Sequence, residues 1–269
     1  MTRHVAQAFA RAASEGRSAL IGYLPAGFPD HALSVRLICA MVESGVDIVE
    51  VGLPYSDPLM DGPVIQQAVN QALAAGSTTD TVIQVVREVA DAGATAVVMS
   101  YWNPIERYGV RRFASALQQA GGSGLIAPDL TPEESADWTA AADEFDIDRI
   151  FLVAPSSTDA RIAEIVRYSS GFVYAASTMG VTGVRTSVGG AAGALVARTK
   201  AVTSLPVAVG LGVSTAEQAA EVAAYADGVI VGSAFVRRVL EAPGDDAAIA
   251  AVSELARELA TGVRAQRTP

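Results

Sequence analysis

Short apolar runs alternate with longer stretches of helical periodicity along the whole chain, and this rhythm limits the fold more than any other feature. The runs are Ala19–Leu24, Ile48–Leu53, Ala96–Ser100, Gly124–Ala127, Arg149–Val153, Phe172–Ala176, Val207–Gly210 and Gly228–Val231, each bounded by Gly, Pro or Asp. Helical spacing fills the intervals near 32–45, 64–75 with 79–93, 110–120, 132–144, 158–168, 189–201 and 214–224. An amphipathic helix over about Val5–Glu15 opens the chain, and a helical pair near 233–240 and 246–263 closes it. Strands that are apolar nearly throughout belong in a parallel sheet covered on both faces. Eight such βα units in 269 residues predict an α/β fold, a single-domain (β/α)8 TIM barrel over 1–269 with an extra N-terminal helix and additional helices. A doubly wound open sheet is the alternative. The unit count and the lack of a dividing linker favour the barrel; Gly121–Gly124 and Gly189–Gly193 read as turns between elements.

Composition excludes several function classes. The net charge is −10 with Lys and Arg scattered singly, so there is no basic stripe for nucleic acid. Cys39 is the only cysteine; with just His4 and His31 beside it, no zinc-like ligand set is available and no metal is expected. A reducing cytoplasm fits this cysteine usage. No run approaches ~18 apolar residues, so neither a membrane span nor a secretion signal is expected. Lys200, just ahead of the seventh run, is the only lysine in the chain. PLP linkage is therefore not expected in this chain, and a Schiff-base aldolase is disfavoured.

Chemistry in a barrel sits where strands end and the following loops begin. On the second run Ile48, Glu50 and Gly52 share one face, and the aliphatic Val49, Val51 and Leu53 share the other. The aliphatic face suits the helices, which points Glu50 into the barrel near its mouth. A buried ion pair with an arginine is the other account of such an acid, although no arginine is predicted at a neighbouring strand end. Asp61 follows Pro54 and Asp57–Pro58 and precedes Gly62–Pro63. It reads equally as a helix cap or turn former and as a catalytic acid. Asp57 shares that ambiguity, and Asp129, after the fourth run, reads first as a loop organiser.

Glycines cluster after the last three strands: Gly180–Gly183, Gly210–Gly212 and Gly232 before Ser233. Backbone amides exposed by glycine, with the N-terminus of a short helix, can hold a phosphate without lysine or arginine. Each turn alone is ordinary, but three at one mouth favour a phosphorylated substrate. The stretch 178–192 is rich in Gly, Thr and Ser, which suits both a closing lid and plain disorder.

At this point the chain resembles the tryptophan synthase alpha subunit family over nearly its full length. The residues that carry the likeness are Glu50–Pro63 (EVGLPYSDPLMDGP), Tyr101–Pro104, Pro128–Leu130, Tyr174, Gly180–Gly183, Gly210–Gly212 and Gly232–Ser233. The resemblance implies cleavage of indole-3-glycerol phosphate to indole and glyceraldehyde 3-phosphate, with Glu50 and Asp61 as the catalytic acids. It further implies that Tyr174 supports the site, that Tyr23 and Leu125 line the indole pocket, and that Gly183, Gly212, Gly232 and Ser233 hold the phosphate. Thr182 would contact Asp61 on closure. The implied partner is a PLP-containing beta subunit in an alpha2beta2 complex, docked near Pro54–Asp57 and Asn103–Pro104, with no cofactor in this chain. Phe28 and Thr178 depart from the Asp and Arg that many members carry, which touches loop closure and communication with the partner. Two other readings stay open: another phosphosugar barrel enzyme, and a non-catalytic subunit that activates a beta-type partner.

Overall fold

In a computed structural model the described residues are 4–176, 190–210 and 212–264. In chain order they form α1 (His4–Ser14), β1 (Ala19–Pro25), α2 (His31–Glu43), β2 (Ile48–Gly52), α3 (Pro63–Ala74), α4 (Thr79–Asp91), β3 (Thr95–Met99), α5 (Trp102–Tyr108), α6 (Val110–Gln119) and β4 (Gly124–Ile126). A 3-10 turn (Pro132–Glu134) leads into α7 (Ala136–Glu144), β5 (Asp148–Ile150), β6 (Leu152–Val153), α8 (Asp159–Tyr168) and β7 (Val173–Ala176). Then come α9 (Gly190–Lys200), β8 (Val207–Gly210), α10 (Ala216–Ala223), β9 (Gly228–Val231), α11 (Ser233–Leu240) and α12 (Asp245–Gly262). Several helices start where a side chain takes up an orphan amide: Asp30 accepts from Leu33 N, Thr78 from Thr81 N and Thr158 from Arg161 N. No helix among the described residues is long and apolar enough to cross a membrane.

All strand pairings are parallel, in the order β5-β4-β3-β2-β1-β9-β8-β7-β6. The two edges, β5 and β6, are halves of one extended segment broken only at Phe151, so the sheet closes on itself as a barrel. The first half pairs with β4 and the second with β7. The expected fifth strand therefore exists in two pieces, one for each neighbour across the closure of the barrel. A second difference follows β3. Tyr101–Pro104 opens a helix absent from the expected set: Tyr101 is 6% exposed and Trp102 starts α5, whose first turn accommodates Pro104 because no amide is needed there.

The interior fills from the bottom. Val5, Ala8, Phe9 and Ala12, at helical spacing on α1, plug the N-terminal end against Ile21, Ile48, Val97, Ile126, Ile150, Phe172, Ala208 and Ile230. Phe9 meets Phe172 with ring centroids 5.5 Å apart. Beside this plug lies a buried arginine–acid pair, the alternative account of Glu50, but it belongs to Asp47. Arg17 donates to Asp47 Oδ2 at 2.6 Å and Oδ1 at 2.9 Å, and Leu20 N donates to Oδ2 at 2.9 Å. The pair ties the start of β2 to the start of β1. Asp47→Ala would leave the Arg17 guanidinium buried beside only Glu15, and a loss of ~3 kcal/mol in unfolding free energy is expected. Urea denaturation checks this, and a midpoint equal to that of the wild type would show the pair to be dispensable.

Candidate active site

Alternation on β2 turns Glu50 inward, as its aliphatic neighbours required, and the register sets it between Tyr23 of β1 and Val97 of β3. Glu50 is 1% exposed and its Oε1 meets no hydrogen-bond partner among the described residues. With no arginine paired to it among the described residues, burial pushes the acid from 4.5 up to about 8. Tyr23 and Tyr174 flank it. Both phenols are pushed well up, chiefly by burial and then by nearby carboxylates, Asp61 and Glu50 for Tyr23 and Glu50 for Tyr174. Each ring lies across a strand that has no side chain there. A Cβ on Gly52 would come within 2.5 Å of the Tyr23 hydroxyl, and one on Gly210 within 2.2 Å of the Tyr174 hydroxyl. The glycines at the ends of β2 and β8 thus make room for the two rings beside Glu50.

Asp61 lies in the irregular segment between β2 and α3. It does not cap that helix: α3 begins after Gly62 with no side-chain cap. Its carboxylate instead accepts from the Tyr101 hydroxyl, Oη to Oδ1 3.0 Å, and the same hydroxyl accepts from Met60 N at 2.9 Å. Burial raises the Asp61 carboxyl above its ordinary value, and the bond from Tyr101 opposes that rise. The acid is thereby held at the barrel mouth, close enough for Tyr23 to sense it.

The remaining expected residues divide. Gly232 sits against Tyr23, 3.6 Å from that side chain for an added Cβ, and Ser233 is the buried first residue of α11. Gly212 has φ +69°, a conformation that a side chain strains. Thr182, Gly183, Thr178 and most of 178–192 lie outside the described residues. Leu125 is a correction: it packs in the helix-facing core, while its neighbour Ile126 belongs to the interior cluster, in register with Met99. A shift of one residue along a strand reverses the face, and Gly124, which could face either way, hid that in the sequence. Met99 and Leu152 also border the interior cluster. Phe28 is fully buried in the helix-facing core, where it serves packing. Asp129 organises its surroundings as expected, accepting from Trp102 N with both oxygens at 2.9 and 3.1 Å. Exposed Asp57 accepts from Ser56 Oγ at 2.5 Å. Lys200 is at the opposite end of the barrel, donating to Asp227 at 2.9 Å beside the start of β8.

A sequence profile of the tryptophan synthase alpha chain matches residues 9–264. The chain belongs to the tryptophan synthase alpha chain family. The alpha chain of Thermobifida fusca is 63% identical over 259 residues, covering 95% of this chain and 96% of that one. The alpha chain of Streptomyces coelicolor is 58% identical over 258 residues, covering 96% and 95%. A solved structure of Mycobacterium tuberculosis tryptophan synthase superposes with a TM-score of 0.93 at 52% identity, covering 99% of this chain and 100% of that one. The alpha subunit of Legionella pneumophila gives a TM-score of 0.87 at 31% identity, covering 98% and 99%. As a tryptophan synthase alpha chain, the protein is a carbon–carbon lyase of tryptophan biosynthesis. The contact between Tyr101 and Asp61 was not legible in the sequence. Tyr101 stood inside a quoted motif, yet no spacing rule links it to an acid 40 positions away.

Proposed function

We propose that Glu50 and Asp61 divide the chemistry by which the chain cleaves indole-3-glycerol phosphate into indole and glyceraldehyde 3-phosphate. The observation that carries the assignment is a carboxyl group buried in the barrel mouth with no ion-pair partner among the described residues, where burial favours the protonated form. Breaking the bond between indole C3 and the glycerol carbon requires a proton at C3, which makes the ring an electron-accepting indolenine. Protonated Glu50 supplies it. The resulting carboxylate then takes the proton from the glycerol hydroxyl as that carbon becomes the aldehyde and the bonding pair returns to the ring. Glu50 ends as it began, so the proton balance closes within one turnover. Asp61, ionised, accepts from the indole N–H and stabilises the positive charge that builds on the ring. The glycine turns with Gly212, Gly232 and Ser233, and Gly183 beyond the described residues, are proposed to hold the phosphate through backbone amides.

Release of indole from indole-3-glycerol phosphate by the isolated chain tests this reading. Slow turnover is expected, and none, even with the partner present, would favour a purely activating subunit. Asp61→Asn is expected to lower kcat ~100-fold while phosphate affinity changes less than about twofold, because the amide cannot balance the ring charge. An affinity loss as large as the rate loss would contradict that role.

The proposed partner is a beta subunit of an alpha2beta2 complex that carries the PLP, in a cytoplasmic setting. Its docking region is supported by the exposed Ser56, Asp57 and Leu59, the last 73% exposed, beside a cleft of about 650 Å³ that Pro54, Asp57, Asn103 and Pro104 help to line. Addition of a beta subunit is expected to raise indole-forming turnover and to shield Leu59 from hydrogen exchange. Neither change would occur if this face were not the docking surface.

A further inference from the structure

Asp61 must stay ionised and keep one orientation to act on a developing cation, yet it lies in a segment with no regular secondary structure. Among the described residues no Lys, Arg or His pairs with it. The groups about it are Tyr101 between β3 and α5, Tyr23 of β1 and, in register with Tyr23 across the strand pair, Glu50 of β2. On its own segment Asp57 is engaged by Ser56, and Tyr55 packs on the Tyr101 ring with centroids 5.6 Å apart. A single hydroxyl therefore does two jobs: Tyr101 Oη donates to Asp61 and accepts from the amide of the preceding residue, Met60.

We propose that Tyr101 is a positioning residue, which clamps the Met60–Asp61 backbone and commits one oxygen of Asp61, leaving the other oxygen to meet the indole N–H. This rests on the proposed lyase reading for its catalytic consequence. The clamp is held in place because Tyr101 is 6% exposed, its ring packs on that of Tyr55, and its backbone forms the N-cap of α5. A hydrogen bond to the charged form of a carboxylate favours that form, so the clamp also opposes the rise that burial imposes on Asp61. The phenol remains a donor throughout, since its own ionisation is pushed above the ordinary range by burial.

Tyr101→Phe removes the hydroxyl and keeps the ring. Its kcat is expected to fall ~10-fold or more with KM within about twofold of the wild type, the loss expected for one bond to a charged group. In the ligand-free protein, 13C NMR of the Asp61 carboxyl should show it titrating at a pH higher by ~0.5 or more. A role confined to packing would lower the melting temperature and leave the titration where it was. Either an unmoved Asp61 titration or an unchanged kcat overturns the inference. If the wild type itself releases no indole, the lyase reading fails, and the titration alone then decides whether Tyr101 governs Asp61.

Discussion

Glu50→Gln is expected to lower turnover by ~1,000-fold or more with the fold intact, the upper range for removing one acid–base group. Two proton transfers pass through the same carboxyl in the proposed cycle, and an amide performs neither. Other groups are poor substitutes: Tyr23 and Tyr174 flank the position, but burial holds both phenols protonated and weakly acidic. Substrate binding should be almost unchanged, because the amide keeps the size and neutrality of the resting acid. Single-turnover kinetics separates the two effects. A variant within tenfold of wild-type turnover would remove Glu50 from the proton path.

The same burial that prepares Glu50 for catalysis should be measurable as instability at alkaline pH. A carboxyl raised from 4.5 to about 8 binds a proton more tightly in the folded than in the unfolded chain. Between those values the folded state holds the extra proton, so stability falls as pH rises and the full penalty is present above the folded value. At about 1.4 kcal/mol for each tenfold in proton affinity, ionised Glu50 costs the fold ~5 kcal/mol. Glu50→Gln removes that penalty. The variant is expected to exceed the wild type in unfolding free energy by several kcal/mol at pH 9 and to match it near pH 5, as chemical denaturation at the two pH values would show. Equal stabilities at pH 9 would mean that Glu50 is not desolvated in the folded protein. The activity profile follows from the same two acids. Chemistry needs Glu50 protonated and Asp61 ionised, so the rate should fall above about 8 through Glu50 and at acid pH through Asp61.

The pattern of apolar runs was enough to read the barrel, because a strand covered on both faces must be apolar nearly throughout and because turn residues mark where each unit ends. The inward face of Glu50 was legible for the same reason. Val49 and Val51 could face only the helices, and alternation left the acid no other direction. Where a strand is short or begins with glycine, that logic loses its grip: Leu125 and Ile126 are equally apolar, and only pairing with β3 decided which faces the interior. The break at Phe151 was hidden as well, since it depends on how the sheet closes around the whole barrel.

What the sequence determined by itself is therefore local in origin: eight units, an acid on the inner face of the second, a constrained acidic segment after it, and glycines at the ends of the last strands. Tertiary structure alone decided which acid meets which partner. Asp47 and Glu50 stand three residues apart on one segment, yet only Asp47 lies low enough on the barrel to meet Arg17, and Glu50 higher up meets two tyrosines. Asp61 and Tyr101 are likewise joined only once β2 and β3 pair in register. The physical reason is that side-chain direction follows from backbone geometry within a few residues, whereas desolvation and hydrogen bonding depend on neighbours that only closure of the barrel brings together.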